Sequence, residues 1–375
     1  MEEIRKLIQG DINAKDEKGL TPLLHLAKSE KISDNLVKIF SLLIQHGANV
    51  NSLDSNGENA LLLWCKNRRQ YQNKSFLAIL NLFVKNGIDV NCKDIYGYNA
   101  LDLLCAFYKK ENLIDIARLF IANGIDINFK TNNGENALTL LCKYYKNENL
   151  IDIIRLFIEN GIDINCKNRY GDNAVTTLCQ FYKNENLIDV ITFLIENGID
   201  INCKNKFGEN AITHLCHYYQ NDNAIEIIQL FIENGIDINF KTNNGDNALT
   251  TLCQFYKNEN LIDVITFLIE NGIDINCKNK PGYNALIYLC RNYQQENLID
   301  ITRLFIEKRI DVNCTTNNGN NALTLLCENY ENKNVIDVIA LLIKSGFKVT
   351  EKTHDYFQKN YKETNRTEVL QLLHV

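Results

Sequence analysis

Residues 131–167 read TNNGENALTLLCKYYKNENLIDIIRLFIENGIDINCK. Leu138, Leu141, Cys142 and Tyr145 fall at i, i+3, i+4 and i+7, one stripe of a helix. Asn136 stands just before it, where a side-chain oxygen can satisfy a free amide of the first turn. A second apolar run follows. Ile151, Ile154 and Ile158 supply its face, with Leu150 and Phe157 beside it. Asn149 and Asp152 have the N-x-x-D spacing of a capping box variant, and the acid also suits the helix dipole. Asn160-Gly161 ends this run, because glycine accepts the left-handed conformation of a helix terminus. IDINCKNRYG then alternates apolar and polar residues and closes in a turn, which predicts an extended finger or hairpin.

The same unit recurs outward in both directions. Its helix-ending glycines are Gly10, Gly47, Gly87, Gly124, Gly161, Gly198, Gly235, Gly272 and Gly346, with Arg309 where one more is due. The steps are 37, then 40, then 37 throughout. Cys65, Cys105, Cys142, Cys179, Cys216, Cys253, Cys290 and Cys327 keep the same beat. Five further cysteines each follow the Asn of D-I/V-N. One unit cannot bury its apolar face alone, whereas stacked units can, so the chain is expected to be an all-α solenoid. Nine helix pairs span residues 11–346, between a half-repeat cap over 1–10 and a degenerate capping repeat over 347–375. All 375 residues are thus expected to form one array.

These residues resemble the ankyrin repeat. The first unit is closest, with GLTPLLHLA from Gly19 to Ala27 followed by LLIQHGANVN. Later units replace Thr-Pro with Asn-Ala, as at Asn136-Ala137, which keeps an N-cap and a good helix former. The period is 37 residues against about 33 for the family. The extra residues lie between the two helices, in segments such as KYYKNEN. Four residues approximate one 3.6-residue turn, so we infer a longer first helix; a flexible loop is the rival reading. Tyr108, Tyr145, Tyr182, Tyr219, Tyr256, Tyr293 and Tyr330, each three residues after a Cys, favour the helix.

Composition narrows the function. Hydrophobic residues make up 45% and charged residues 23%, as in ordinary folded chains. The net charge of −6 argues against a general nucleic-acid binder. No apolar run approaches the ~20 residues needed to cross a bilayer. The charged start MEEIRKLIQGDIN lacks an apolar signal core, so a cytoplasmic location is expected, with the nucleus also possible.

Catalytic and metal chemistry find no constellation. The helix cysteines sit at a position that the resemblance reserves for a small buried residue, where free Cys packs as a hydrophobe. Stacked helices lie ~8–10 Å apart. A disulfide needs Cα atoms within ~7 Å, so equivalent cysteines in neighbouring repeats should not bridge. No Cys/His zinc spacing, P-loop, G-x-S-x-G or H-E-x-x-H occurs. His214 and His217 flank Cys216 at i, i+3, and are expected to be a chance surface pair. Trp64, Lys66, Arg68, Arg69 and Lys74 form the one locally basic spot, read as a lengthened solvated loop or a contact for an acidic partner. No enzyme, cofactor or metal site is therefore expected.

The resemblance implies protein binding through finger tips and the concave, first-helix face. Mapped here, tips and the residues after each finger Gly supply Tyr96, Tyr98, Arg169, Tyr170, Lys206, Phe207 and Tyr283. The helix positions after Cys supply Phe107, Lys143, Tyr144, Phe181, His217, Tyr218, Phe255 and Arg291. Framework residues repeat while these vary, as in a modular reader. Phe107, Tyr144, Phe181, Tyr218 and Phe255 either line an exposed face or are buried in the stack. The expected product is a monomeric scaffold or adaptor for an unidentified protein, with no nucleic acid and no membrane insertion. The alternative is an effector or a substrate-recruiting subunit of a larger assembly such as a ubiquitin ligase. Residues 173–206 and 247–280 are identical except at Val175 and Leu249, which indicates recent duplication.

Overall fold

A computed structural model describes residues 10–350, apart from 31, 33, 34, 294 and 330–334, together with 353, 354 and 371. Residues 1–9 of the expected N-terminal cap (1–10), Tyr330, Asn334 and most of the C-terminal cap lie outside the described residues. So does the side chain of Cys327.

The chain divides into two compact units, Met1–Ile199 and Asp200–Val375. In the first unit, first helices α1 (Pro22–Lys28), α3 (Ala60–Lys66), α5 (Ala100–Phe107), α7 (Ala137–Tyr144) and α9 (Ala174–Phe181) alternate with second helices. The latter are α2 (Leu36–Gln45), α4 (Phe76–Lys85), α6 (Leu113–Ala122), α8 (Leu150–Glu159) and α10 (Leu187–Glu196). The second unit has first helices α11 (Ala211–Tyr218), α13 (Ala248–Phe255), α15 (Ala285–Asn292) and α17 (Ala322–Asn329). Its second helices are α12 (Ala224–Glu233), α14 (Leu261–Glu270), α16 (Leu298–Glu307) and α18 (Val335–Lys344). Within each unit, first helices pack on neighbouring first helices and second on second, and each pair packs internally. This is an all-α repeat solenoid. Among the described residues there is no strand, and each finger is a tight turn. Thr131 N–H donates to Glu135 O (2.9 Å) and Gly134 N–H to Thr131 O (2.8 Å). One isolated antiparallel bridge joins Thr315 and Asn321.

The first helix forms as its pattern predicts. Asn136 Oδ1 accepts from Thr139 N–H at 3.0 Å, and Thr139 Oγ1 accepts from Asn136 N–H at 2.9 Å, a closed capping box. The Asn side chain also has donors. Asn136 Nδ2 donates to Asp163 O at 3.0 Å, closing the repeat's own far corner. Asn59, Asn247 and Asn284 do the same to Asp89, Asp274 and Asp311. A Thr hydroxyl carries its acceptor and its one donor on a single short oxygen, whereas Asn places them on two separate atoms.

The second helix corrects two expectations. Asn149 makes no side-chain cap bond, so the N-x-x-D capping box does not form. Its Oδ1 accepts instead from Tyr145 Oη, and its Nδ2 donates to Glu111 O of the preceding repeat. The buried residues are Leu150, Ile153, Ile154, Leu156 and Phe157, with Ile151 and Ile158 only half-buried at the edges. Full burial of each such side chain stabilises by about 1.5–3 kcal/mol. The terminus behaves as expected: Gly161 takes φ +77°, and Ile162 N–H donates back to Phe157 O at 3.1 Å.

The inferred extra helical turn is absent. α7 stops at Tyr144, and Tyr145 is extended (φ −88°, ψ 130°). The additional residues form a bonded connector. Tyr145 Oη donates to Lys110 O (3.1 Å), while Asn147 Nδ2 donates to Lys109 O (3.0 Å). Tyr145 remains fully buried, which is why its spacing mimicked a helical stripe.

The cysteines pack. Every described cysteine is free, and all but half-buried Cys92 are buried. Burial pushes the Cys142, Cys216 and Cys290 thiols up to about 12.

Candidate protein-interaction surface

The finger tips are built by side chains that fold back onto their own backbone. Asp94 Oδ1 accepts from the amides of Tyr96 and Tyr98, each at 2.9 Å. Asn205 Oδ1 does the same for Phe207 and Glu209, each at 2.9 Å. These Asx turns hold the tip in shape while releasing the tip side chains outward. Neighbouring fingers are then stitched together. In the first unit, Asn132 N–H donates to Tyr96 O (2.9 Å) and Arg169 N–H to Asn133 O (2.6 Å). In the second, Asn243 N–H donates to Phe207 O (2.9 Å) and Lys280 N–H to Asn244 O (2.8 Å). With the backbone engaged, the side chains carry the surface. Ile95, Tyr96 and Phe207 are 61%, 62% and 60% exposed. Tyr170, Arg169 and Lys206 are exposed as well, and Arg169 donates to the Tyr170 hydroxyl.

The aromatic residues after the helix cysteines are not buried in the stack. In the first unit Phe181 is 40% exposed, and Phe107 and Tyr144 are half-buried with ring centroids 6.4 Å apart. Lys143 lies 5.5 Å from the centre of the Phe181 ring and pairs with Glu135 at 2.9 Å. In the second unit Phe255 is exposed and Tyr218 half-buried, with the His217 ring stacked on both, 3.9 Å from each centroid. Tyr98 and Tyr283 are half-buried, and Arg291, exposed, donates to the Tyr283 hydroxyl at 3.0 Å.

His214 and His217 are not a surface pair. His214 is buried, with Nε2 2.9 Å from Asn205 Nδ2 and 3.3 Å from Glu209 Oε2. His217 Nδ1 lies 3.3 Å from the other oxygen of the same carboxylate. Burial pulls Glu209 upward, but its bonds with His217 and Asn205 outweigh that and hold it below the usual glutamate value. Among the described residues no group of three or more His, Cys, Asp or Glu is placed to hold a metal.

The basic spot is not a solvated loop either. Trp64 is fully buried and stacked on Phe76 at 5.8 Å. Lys66 reaches Glu58 at 2.5 Å and Asp94 at 3.4 Å, and Arg69 reaches Glu30 at 2.5 Å. The three added residues open a 3-10 helix, Arg68–Gln72.

Sequence reading missed one recurrent functional group of the framework. The Asn of each D-I-N segment clasps the next repeat: Asn128 Nδ2 donates to Gly161 O (2.8 Å), and its Oδ1 accepts from Asp163 N–H (2.5 Å). Asn91, Asn239, Asn276 and Asn313 make the same pair of bonds. The available signal was a polar residue held constant at an exposed place in every unit.

The family profile for ankyrin repeats (three copies) matches residues 2–94, 70–168, 103–205, 178–279 and 252–353. Among 516 matching chains of solved structures is the ankyrin repeat domain of Bcl-3, described as a unique member of the IkappaB protein family. It shares 18% identity and a TM-score of 0.47, covering 65% of this chain and 98% of that one. No curated protein matches. No helix among the described residues is long and apolar enough to cross a membrane.

Proposed function

The chain belongs to the ankyrin repeat family, whose members are generally protein–protein interaction modules, and from that premise we propose that it is a non-catalytic scaffold or adaptor for a protein partner. One observation carries the reading. Large aromatic side chains stand exposed at the finger tips and at the ends of the first helices, on a backbone whose polar groups are already bonded. Exposed aromatics supply contact area at low entropic cost and are typical binding anchors. Tyr96, Tyr170 and Phe207 at the tips, and Phe107, Tyr144, Phe181, Tyr218 and Phe255 on the helix ends, are the contacts this reading assigns. The half-buried Tyr98 and Tyr283 flank them, and Arg169, Lys206, His217 and Arg291 add polar contacts. Lys143, paired with Glu135, orients its aromatic neighbours.

The non-catalytic part rests on repetition. Most buried polar residues recur from unit to unit in caps, corners and connectors, whereas catalysis needs a constellation that occurs once; the cluster of His214, Asn205 and Glu209 does occur once, but its His214 imidazole is buried. The proposed location is the cytoplasm and the proposed state a monomer. Affinity capture from a native extract tests the reading, comparing the full chain with the joint variant Phe181→Ala, Phe255→Ala. Captured protein should be lost, while melting of the variant checks that the fold survives removal of two partly exposed rings. An unchanged set of captured proteins would remove the aromatic surface from the reading.

A further inference from the structure

The largest break in the period is three additional residues in the second repeat. With Cys65 and Tyr71 aligned on Cys105 and Tyr108, the insertion is Arg68-Arg69-Gln70. It opens the 3-10 helix, and that helix is fixed from below. Gln70 is fully buried, and its Nε2 donates to Ser29 O at 2.9 Å. Asn67 Nδ2 donates to the same oxygen at 2.8 Å, and Asn73 Nδ2 to Gln70 Oε1 at 3.1 Å. The buried Tyr71 ring meets Tyr108 of the next repeat edge-on at 5.0 Å. Arg68 therefore projects from a base bonded to both neighbouring repeats.

Its guanidinium carbon sits 3.7 Å from the centre of the Phe107 ring. Together with Tyr96, Tyr98 and Leu103, these two residues line a cleft of about 370 Å³. That volume lies within the range of ordinary ligand pockets. The other charged groups at the cleft are engaged. Asp94 accepts two amides through Oδ1 and faces Lys66 through Oδ2, while Lys66 also holds Glu58. Arg68 has no carboxylate in ion-pair range among the described residues. Its contact with the ring spends none of its N–H donors, which stay available for a planar anion.

We propose that this cleft docks a partner segment in which a large apolar side chain stands beside a carboxylate. The apolar group enters between Tyr96, Tyr98 and Leu103, and the carboxylate pairs with Arg68. Charge complementarity selects the acid, and the aromatic lining selects its neighbour. The inference deepens the protein-binding reading and rests on it.

Random dodecapeptides displayed on phage, selected on the immobilised full chain, provide the test. The enriched peptides should carry an apolar residue next to Asp or Glu. By fluorescence anisotropy they should bind Arg68→Glu about tenfold more weakly, with Tyr96→Ala also weakened and added salt lowering the affinity. Both residues are exposed, and melting of each variant checks the fold. Enrichment without an acidic residue, binding indifferent to Arg68→Glu, or no enrichment would each overturn the pocket. If captured cellular proteins are nevertheless lost with Phe181→Ala, Phe255→Ala, the protein-binding reading stands while the pocket falls.

Discussion

At the scale of the residue, polar side chains rather than cysteines or histidines proved informative. Asparagine does three jobs in one repeat: it caps the first helix, clasps the next repeat's corner and ties the connector. Each needs an acceptor and a donor on separate atoms of one short side chain, which Asn has; Thr carries both on a single oxygen, and ionised Asp has no donor. Arg309 tests the backbone side of that corner. It takes φ +65°, the only non-glycine residue with positive φ among those described, and its carbonyl still receives Asn276 Nδ2 at 3.2 Å. The left-handed conformation costs a non-glycine residue about 1–2 kcal/mol. Glycine loosens the unfolded chain by about 0.4–1 kcal/mol in the opposite sense. Arg309 is exposed, so no packing is lost on truncation. Arg309→Gly should raise stability by the difference, about 0.5–1 kcal/mol. A lower midpoint in urea denaturation would show that the arginine side chain contributes more than its backbone costs.

At the scale of the element, the connector between first and second helices distinguishes this repeat. Lys146 illustrates how neighbours share it. Its Nζ donates to Phe181 O, the last residue of α9, at 2.9 Å, supplying a cation to a helix C-terminus. Burial pulls its pKa down to about 8, with Lys109 pushing the same way and Cys142 opposing. Tyr145 decides whether the connector is structural. Its hydroxyl reaches both Lys110 O and Asn149 Oδ1, and its ring is fully buried. Tyr145→Phe keeps the ring and removes the hydroxyl, so it should cost about 1 kcal/mol. No shift in the denaturation midpoint would mean that the connector behaves as the loose loop which was the rival reading of the spacing.

At the scale of the whole molecule, the abundance of cysteine follows from copying one small core position along the chain. The described thiols are free, and burial keeps those of Cys142, Cys216 and Cys290 near 12, so few are thiolate at neutral pH. Adding dithiothreitol should leave the melting temperature unchanged. A drop of several degrees would reveal disulfides that stabilise the chain, since a native disulfide is worth about 2–5 kcal/mol.

Periodicity by itself determined the repeat, the helix pairs, the glycine corners and the packing role of cysteine, because each is set within a few residues of chain and then repeated. The tip residues were legible for the same reason, since a turn exposes whatever it carries. What the tertiary structure decided were matters that depend on the neighbouring repeat. A buried Tyr145 looks helical in sequence, and only the bonds of Tyr145, Asn147 and Asn149 to residues 109–111 show that the chain has left the helix. His214 looked superficial for a different reason, since its partners Asn205 and Glu209 belong to the finger of its own repeat and only the fold brings them over it. Arg68 looked like part of a solvated loop until Ser29 on one side and Phe107 on the other fixed its place. Spacing along the chain records which residues share a helix face. It does not record which side chains a residue some 35 positions away brings within hydrogen-bond reach, and in a stack of repeats those distant partners set burial and charge.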